Sequence, residues 1–159
     1  MTEKELNWSF KRFNELSGIE VYEMLKLRVA VFVVEQQCPY MEVDGHDMEA
    51  VHLFGMRDGE IKAYARLLPA GVKYEEPSLG RVIVHEDQRG KGVSHILMSK
   101  AVEFMIKNFH AEKIQLQAQL HLQQLYGSHG FEVIGEPYED DGIPHIDMLL
   151  AKKSFRKVE

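Results

Sequence analysis

The sequence predicts an α+β fold, a mixed and mostly antiparallel sheet flanked by a few helices. Three observations predict it. Apolar runs with strand character arrive as neighbouring pairs joined by short glycine-bearing turns, at Asp58-Gly59 and at Glu139-Asp140-Asp141-Gly142. Two other segments carry helical spacing: Tyr22, Leu25, Val29 and Phe32, then Val93, Ile96, Leu97, Ala101, Phe104 and Met105. The 159 residues suffice for one domain, 1–159, with a real core.

The elements follow in order. Residues 8–13 read as a first strand. Ser17 and Glu20 form the S-x-x-E capping-box pattern that opens a helix. Residues 33–47 read as a loop, with Pro39 and Gly45 as breakers. Residues 51–56 and 61–68 are the two arms of the Asp58-Gly59 hairpin. Residues 69–78 are a loop, and 79–84 are an apolar strand. A glycine-bearing turn leads into the long helix that runs to about Phe109. Residues 114–119 alternate apolar and polar, a strand, and 122–128 are a short helical stretch. Two last strands lie near 131–137 and 144–151.

Composition narrows the function classes. Apolar content of 45% and charged content of 28% are those of a soluble globular protein. No run of eighteen apolar residues exists, so no membrane span is expected. The N-terminal Met1-Thr2-Glu3-Lys4-Glu5 lacks the apolar stretch of a signal peptide, and Cys38 is the single cysteine, so a cytoplasmic setting is expected. A net charge of −6 argues against a nucleic-acid-coating role. The eight histidines form no H-E-x-x-H pattern, and no metal is expected.

The turn after the 79–84 strand is the most informative segment: Gln88-Arg89-Gly90-Lys91-Gly92-Val93-Ser94. Glycines admit close backbone approach to an anion, and a helix N-terminus offers unpaired N–H groups and a positive dipole end. A Walker loop is excluded, because Gly92 follows Lys91 where a Ser or Thr belongs. The dinucleotide fingerprint is excluded, because His95 stands at its third glycine. What remains, Arg89, Gly92 and Ser94 in R-x-x-G-x-[small], resembles the pyrophosphate loop of the GNAT superfamily of acetyl-CoA-dependent N-acetyltransferases. That family usually has Gly or Ala at the Ser94 position. A second motif, Leu125-Tyr126-Gly127-Ser128-His129-Gly130-Phe131, is similar to the family's L-Y-x-x-x-G-F after its fifth strand. The segments 31–40, 44–47, 65–69 and 79–82 resemble the ElaA-like branch, so the resemblance covers nearly the whole chain.

The resemblance implies a twisted sheet splayed around an acetyl-CoA site, with acetyl-CoA as co-substrate. It implies that Val82, Ile83, Val84 and the 88–94 loop bind it, with Ile83 the expected donor of a backbone N–H to the thioester oxygen. Gln119 occupies the place of an Asn that contacts the pantetheine arm. Tyr126 is the implied general acid to the departing thiolate; the alternative is an aromatic ring packed under the sheet. Dimers are common in the superfamily, so a homodimer is an expectation.

Acetyl transfer also needs a base, because an amine with a pKa of about 10.4 is mostly protonated at neutral pH. The 79–84 strand carries no acid. The candidates are Glu35, which would be raised towards base range if buried, His52 and His85. Each has a structural alternative: a solvated loop acid, a satisfied core histidine, a surface histidine. The expected acceptor pocket is Glu35, Tyr40 and Asp44 on one side and Tyr138 and His145 on the other. Acidic groups there would favour a cationic small amine, unless these acids are only solvated turn residues. Two functions stay open: a small-molecule N-acetyltransferase, and a non-catalytic acyl-CoA-binding sensor or partner module.

Overall fold

The computed structural model describes residues 5–151. The charged stretch at 1–4 lies outside the described residues, as does 152–159. Seven strands form one sheet: β1 (Asn7–Arg12), β2 (Val51–Arg57), β3 (Glu60–Leu68), β4 (Ser78–Val84), β5 (Lys113–Gln119), β6 (Glu132–Asp140) and β7 (Ile143–Ala151). Their order is β1-β2-β3-β4-β5-β7-β6. Every neighbouring pair is antiparallel except β4 and β5, which are parallel. The helices are α1 (Gly18–Val29), α2 (Val93–Asn108) and the short α3 (Gln123–Gly127).

Local chemistry sets the elements. Ser17 Oγ accepts from the Glu20 N–H at 3.1 Å, and Glu20 Oε1 accepts from the Ser17 N–H at 2.9 Å, closing the predicted capping box. The β2–β3 turn has positive φ at Asp58 (52°) and Gly59 (79°), and the β6–β7 turn at Asp141 (50°) and Gly142 (78°). Both are the tight turns whose twist matches paired strands. The β6–β7 turn is therefore two residues, shorter than sequence suggests, and β6 runs on to Asp140.

The sheet is covered on both faces. Leu53, Ala63, Ala65 and Leu67 point to α2, where Leu97, Met98, Ala101, Val102 and Met105 are buried. Phe54, Tyr64 and Ile83 point the other way, onto Met24 of α1. Strand periodicity of two separates the faces. Filling one such position is worth about 2–5 kcal/mol, the cost of truncating a buried Leu or Met to Ala.

Two departures from the sequence reading position the site. Residues 33–35 are not loop: α1 continues as a π-helical stretch (Ala30–Glu35), with Gln36 N–H bonded to Val31 C=O and Cys38 N–H to Val33 C=O. Such wide turns recur at functional sites. The second departure is in the sheet. β4 and β5 are in register only at Ser78 and Gln115, then part. A bulge in β4 sets Arg81 and Val82 against Ala65 alone, with Arg81 at φ 49°.

Candidate active site

The parting of β4 from β5 opens a cleft of about 520 Å³. One end is formed by the turn from β4 into α2. Gly90 and Gly92 both hold φ 79°, a region that side-chain-bearing residues enter only with strain. Gly92 is the N-cap of α2 and supplies no side chain to cap it, and the first turn of α2 carries no acid. The contrast with α1 is direct: there Ser17 and Glu20 satisfy the helix start internally, whereas no side chain caps the start of the sixteen-residue α2, the kind of helix end that suits an anion. Arg89 Nε donates to Val84 C=O at 2.9 Å, which folds the loop back over the strand end.

The β4 edge facing the gap has no strand partner beyond Ser78. His85 N–H bonds to Lys62 C=O at 2.8 Å. By the alternation of an antiparallel pair, Ile83 directs its backbone polar groups towards β3 as well, and Val84 directs its own towards the cleft. The donation from Arg89 to Val84 C=O on that side agrees. The backbone groups open to the cleft are therefore those of Val84 or the bulge next to it, and the Ile83 N–H faces β3.

Tyr126, on α3, lines the cleft and is 6% exposed. Burial pushes its phenol up to about 12. Gln119 also lines the cleft and forms a reciprocal amide pair with Gln36, at 3.1 and 3.4 Å.

The predicted site residues sort into two groups. Glu35, Tyr40, Val82, Ile83, Val84, Gln88, Arg89, Gly90, Gly92, Val93, Ser94, Gln119, Tyr126 and His145 line the cleft; Lys91, Asp44 and Tyr138 do not. Asp44 is held away by chemistry that sequence did not reveal. Arg66 Nη1 and Nη2 donate to its two oxygens at 2.8 and 2.7 Å, and Arg81 Nη2 donates at 3.4 Å. Burial pushes the Asp44 carboxyl up, but the Arg66 and Arg81 guanidiniums override it and hold it well below the usual carboxylate range. Tyr138 turns its hydroxyl to Asp147.

The base candidates fare as follows. Glu35 is about half exposed and faces Arg89 Nη2 at 3.4 Å. His52 is fully buried, and both ring nitrogens are engaged, Nδ1 with Tyr64 OH at 2.6 Å and Nε2 with Asp47 C=O at 2.9 Å. His85 lies outside the cleft and bonds the Asp87 N–H. His145 differs from all three. Its Nδ1 bonds to Ile143 C=O at 2.7 Å. A carbonyl only accepts, so Nδ1 carries the proton in the neutral ring and Nε2 keeps a lone pair. His145 lines the cleft and pairs in register with Gln119.

Beneath the acceptor end lies a buried network absent from any sequence motif. Arg28, Arg66 and Arg81 meet Glu42, Asp44 and Asp47. Arg28 is 0% exposed and donates to Glu42 Oε2 at 2.7 Å and Asp47 Oδ1 at 2.6 Å. Arg81 Nε donates to Glu42 Oε2 at 2.9 Å, and Tyr40 OH donates to Glu42 Oε1 at 2.6 Å. Three guanidiniums against three carboxylates balance in charge, which is what permits their burial. The network ties the 40–47 segment to α1, β3 and the β4 bulge. Among the described residues, no three His, Cys, Asp or Glu side chains group to hold a metal. No helix among them is long and apolar enough to cross a membrane.

A mixed sheet split between two parallel strands, with an anion-ready helix start at the split, defines the acyl-CoA N-acyltransferase class of fold. The family model for the acetyltransferase (GNAT) domain matches residues 20–152, and the chain belongs to that family. The Escherichia coli protein ElaA is 44% identical over 145 residues, covering 90% of this chain and 95% of ElaA. A UPF0039 protein of Synechocystis is 42% identical over 147 residues, covering 92% of this chain and 96% of its own length. In solved structures, an acyl-CoA N-acyltransferase from Pseudomonas aeruginosa superposes with a TM-score of 0.86 at 42% identity, covering 92% of this chain and 99% of that one. The Escherichia coli ElaA crystal structure does so with a TM-score of 0.86 at 43% identity, covering 91% and 99%.

Proposed function

We propose that the protein transfers an acetyl group from acetyl-CoA to a primary amine of a small molecule, by direct attack within a ternary complex. One observation carries the reading: the unpartnered β4 edge, the uncapped start of α2 and the buried Tyr126 all face one cleft. Val84 and its neighbours would bond an extended pantetheine arm as an added strand does. The Gly90–Gly92 turn and the α2 N–H groups would hold the pyrophosphate, with Arg89 beside them.

The amine nitrogen attacks the thioester carbonyl carbon, a C–N bond forms, and charge gathers on the oxygen, where a backbone N–H of β4 stabilises it. The C–S bond then breaks and the thiolate leaves. His145 Nε2 takes the proton that the nitrogen sheds. Tyr126 meets the sulfur. A phenol at about 12 holds its proton roughly a thousandfold more tightly than a thiol does, so Tyr126 stabilises the thiolate by donating a hydrogen bond and keeps its proton.

The test is acetyl-CoA-dependent thiol release over a panel of small amines, with Tyr126→Phe and His145→Gln alongside. Release that falls at least about tenfold in both variants, with acetyl-CoA binding kept, supports the reading. The second reading, an acyl-CoA sensor without turnover, is favoured by the lack of any acid on β4. Tight acetyl-CoA binding with no release from any amine would select it.

A further inference from the structure

The acceptor end of the cleft is lined by Arg66, Lys73 and Arg81, with Asp140 and Asp141 on the opposite hairpin tip. The carboxylates that neutralise the two arginines, Glu42, Asp44 and Asp47, do not line it. Asp140 already accepts from Gln117 Nε2 at 2.7 Å. Lys73 stands apart: among the described residues it forms no ion pair, and its Nζ lies over the Tyr74 ring at 5.4 Å. Lys73 is exposed to solvent, yet crowding by the cleft, then Arg81 and Arg66, pulls its pKa down. Arg66 adds a second open demand, because its buried Nε–H has no acceptor among the described residues.

A polyamine entering here would add positive charge beside Lys73, whose charge no carboxylate among the described residues offsets in an ion pair. An anion would relieve it. We propose that the acceptor is an amine that also carries a free carboxylate, an amino acid in the broad sense, and that Lys73 holds that carboxylate with Arg81 and Arg66 behind it. This rests on the transfer reading above. One unpaired cation matches one negative charge, which selects a carboxylate over a phosphate dianion. This proposal departs from the expectation of an acidic pocket for a cationic amine; of the acids expected there, Asp44 faces the arginines and not the cleft.

The experiment compares kcat/KM for L-amino acids and their carboxamides, with spermidine and phosphoethanolamine as further acceptors. Wild type is set against Lys73→Met and Lys73→Arg, each first checked for an unchanged Tm. The acid should exceed its amide by roughly tenfold to a hundredfold, the range of a hydrogen bond to a charged group, mainly through KM. Lys73→Met should collapse that ratio towards one. Lys73→Arg should keep most of it, because arginine holds a carboxylate but cannot shed a proton, which separates anion-holding from base catalysis. A wild-type preference for amide, spermidine or phosphoethanolamine, or a ratio that survives Lys73→Met, overturns the proposal. A binding arm separates it from the transfer reading: N-acetyl amino acids and N-acetyl amino amides are titrated into CoA-loaded protein by calorimetry. Lys73-dependent preference for the acid with no turnover leaves the proposal standing and defeats the transfer reading. Turnover without that preference does the reverse, and neither turnover nor preference defeats both.

Discussion

Glu42→Gln removes one negative charge from the centre of the buried network and changes almost no volume. In the native protein one carboxylate serves Arg28, Arg81 and the Tyr40 hydroxyl, at 2.6–2.9 Å. Its side chain is 2% exposed and that of Arg28 is 0% exposed. Water therefore cannot take over when the charge goes. The amide also turns N–H groups towards at least one guanidinium, donor against donor. Breaking a buried ion pair by removing one partner costs about 3–5 kcal/mol, because the remaining charge is left uncompensated. For a chain of this size that corresponds to a fall in Tm of about 6–20 °C. Urea unfolding followed by the fluorescence of the single tryptophan, Trp8, measures it, since Trp8 packs against Gly55 and leaves that contact on unfolding. Glu103→Gln, which breaks the exposed pair with Lys107, is the control and should leave the midpoint almost unchanged. A Glu42→Gln protein within about 1 kcal/mol of wild type would refute the reasoning. It would mean that the arginines gain as much from water or from Asp44 and Asp47 as they lose.

Gly92→Ala meets no atom within 4 Å, so its cost to stability is only that of holding alanine at φ 79°, about 1–2 kcal/mol. Its methyl group would stand where the pyrophosphate approaches, and calorimetry should find acetyl-CoA binding weakened by at least about tenfold, or the loop does not hold phosphate. Tyr126→Phe should lower kcat while leaving the acetyl-CoA Kd within about twofold; a parallel loss of binding would make Tyr126 a packing residue. Stability should fall with acid in two stages. Burial lowers His52, and burial with His95 nearby lowers His129, so the unfolded chain binds more protons and stability declines as pH drops through about 6.5. Burial raises Asp44 and Asp47, but their arginines hold both below the usual range, so a second loss follows below about pH 4. Urea midpoints measured from pH 8 to pH 3 check this, and a flat profile between pH 7 and 5 would contradict the histidine stage.

What the chain determined by itself is local. Ser17 and Glu20 announce the start of α1, because a capping box needs only residues three apart. Asp58-Gly59 announces the hairpin, because the turn needs positive φ at two adjacent positions. Gly90 and Gly92 before a helical pattern announce the tight turn into α2 for the same kind of reason, and Tyr126 of the Leu125–Phe131 motif lines the same cleft. Tertiary structure alone decided the rest. Arg66 lies between the apolar Ala65 and Leu67, and nothing near it in sequence says that Asp44 and Asp47, some twenty positions away, will neutralise it. Pair energies of that kind depend on distance in space and on the local dielectric, neither of which a linear pattern carries. The same holds for the base: whether Glu35, His52, His85 or His145 is free to take a proton depends on which partners the fold brings to each ring or carboxylate. Glu35 finds Arg89, His52 finds Tyr64 and Asp47, and His85 finds the Asp87 N–H. His145 Nδ1 finds Ile143 C=O two residues away, which leaves the lone pair on Nε2.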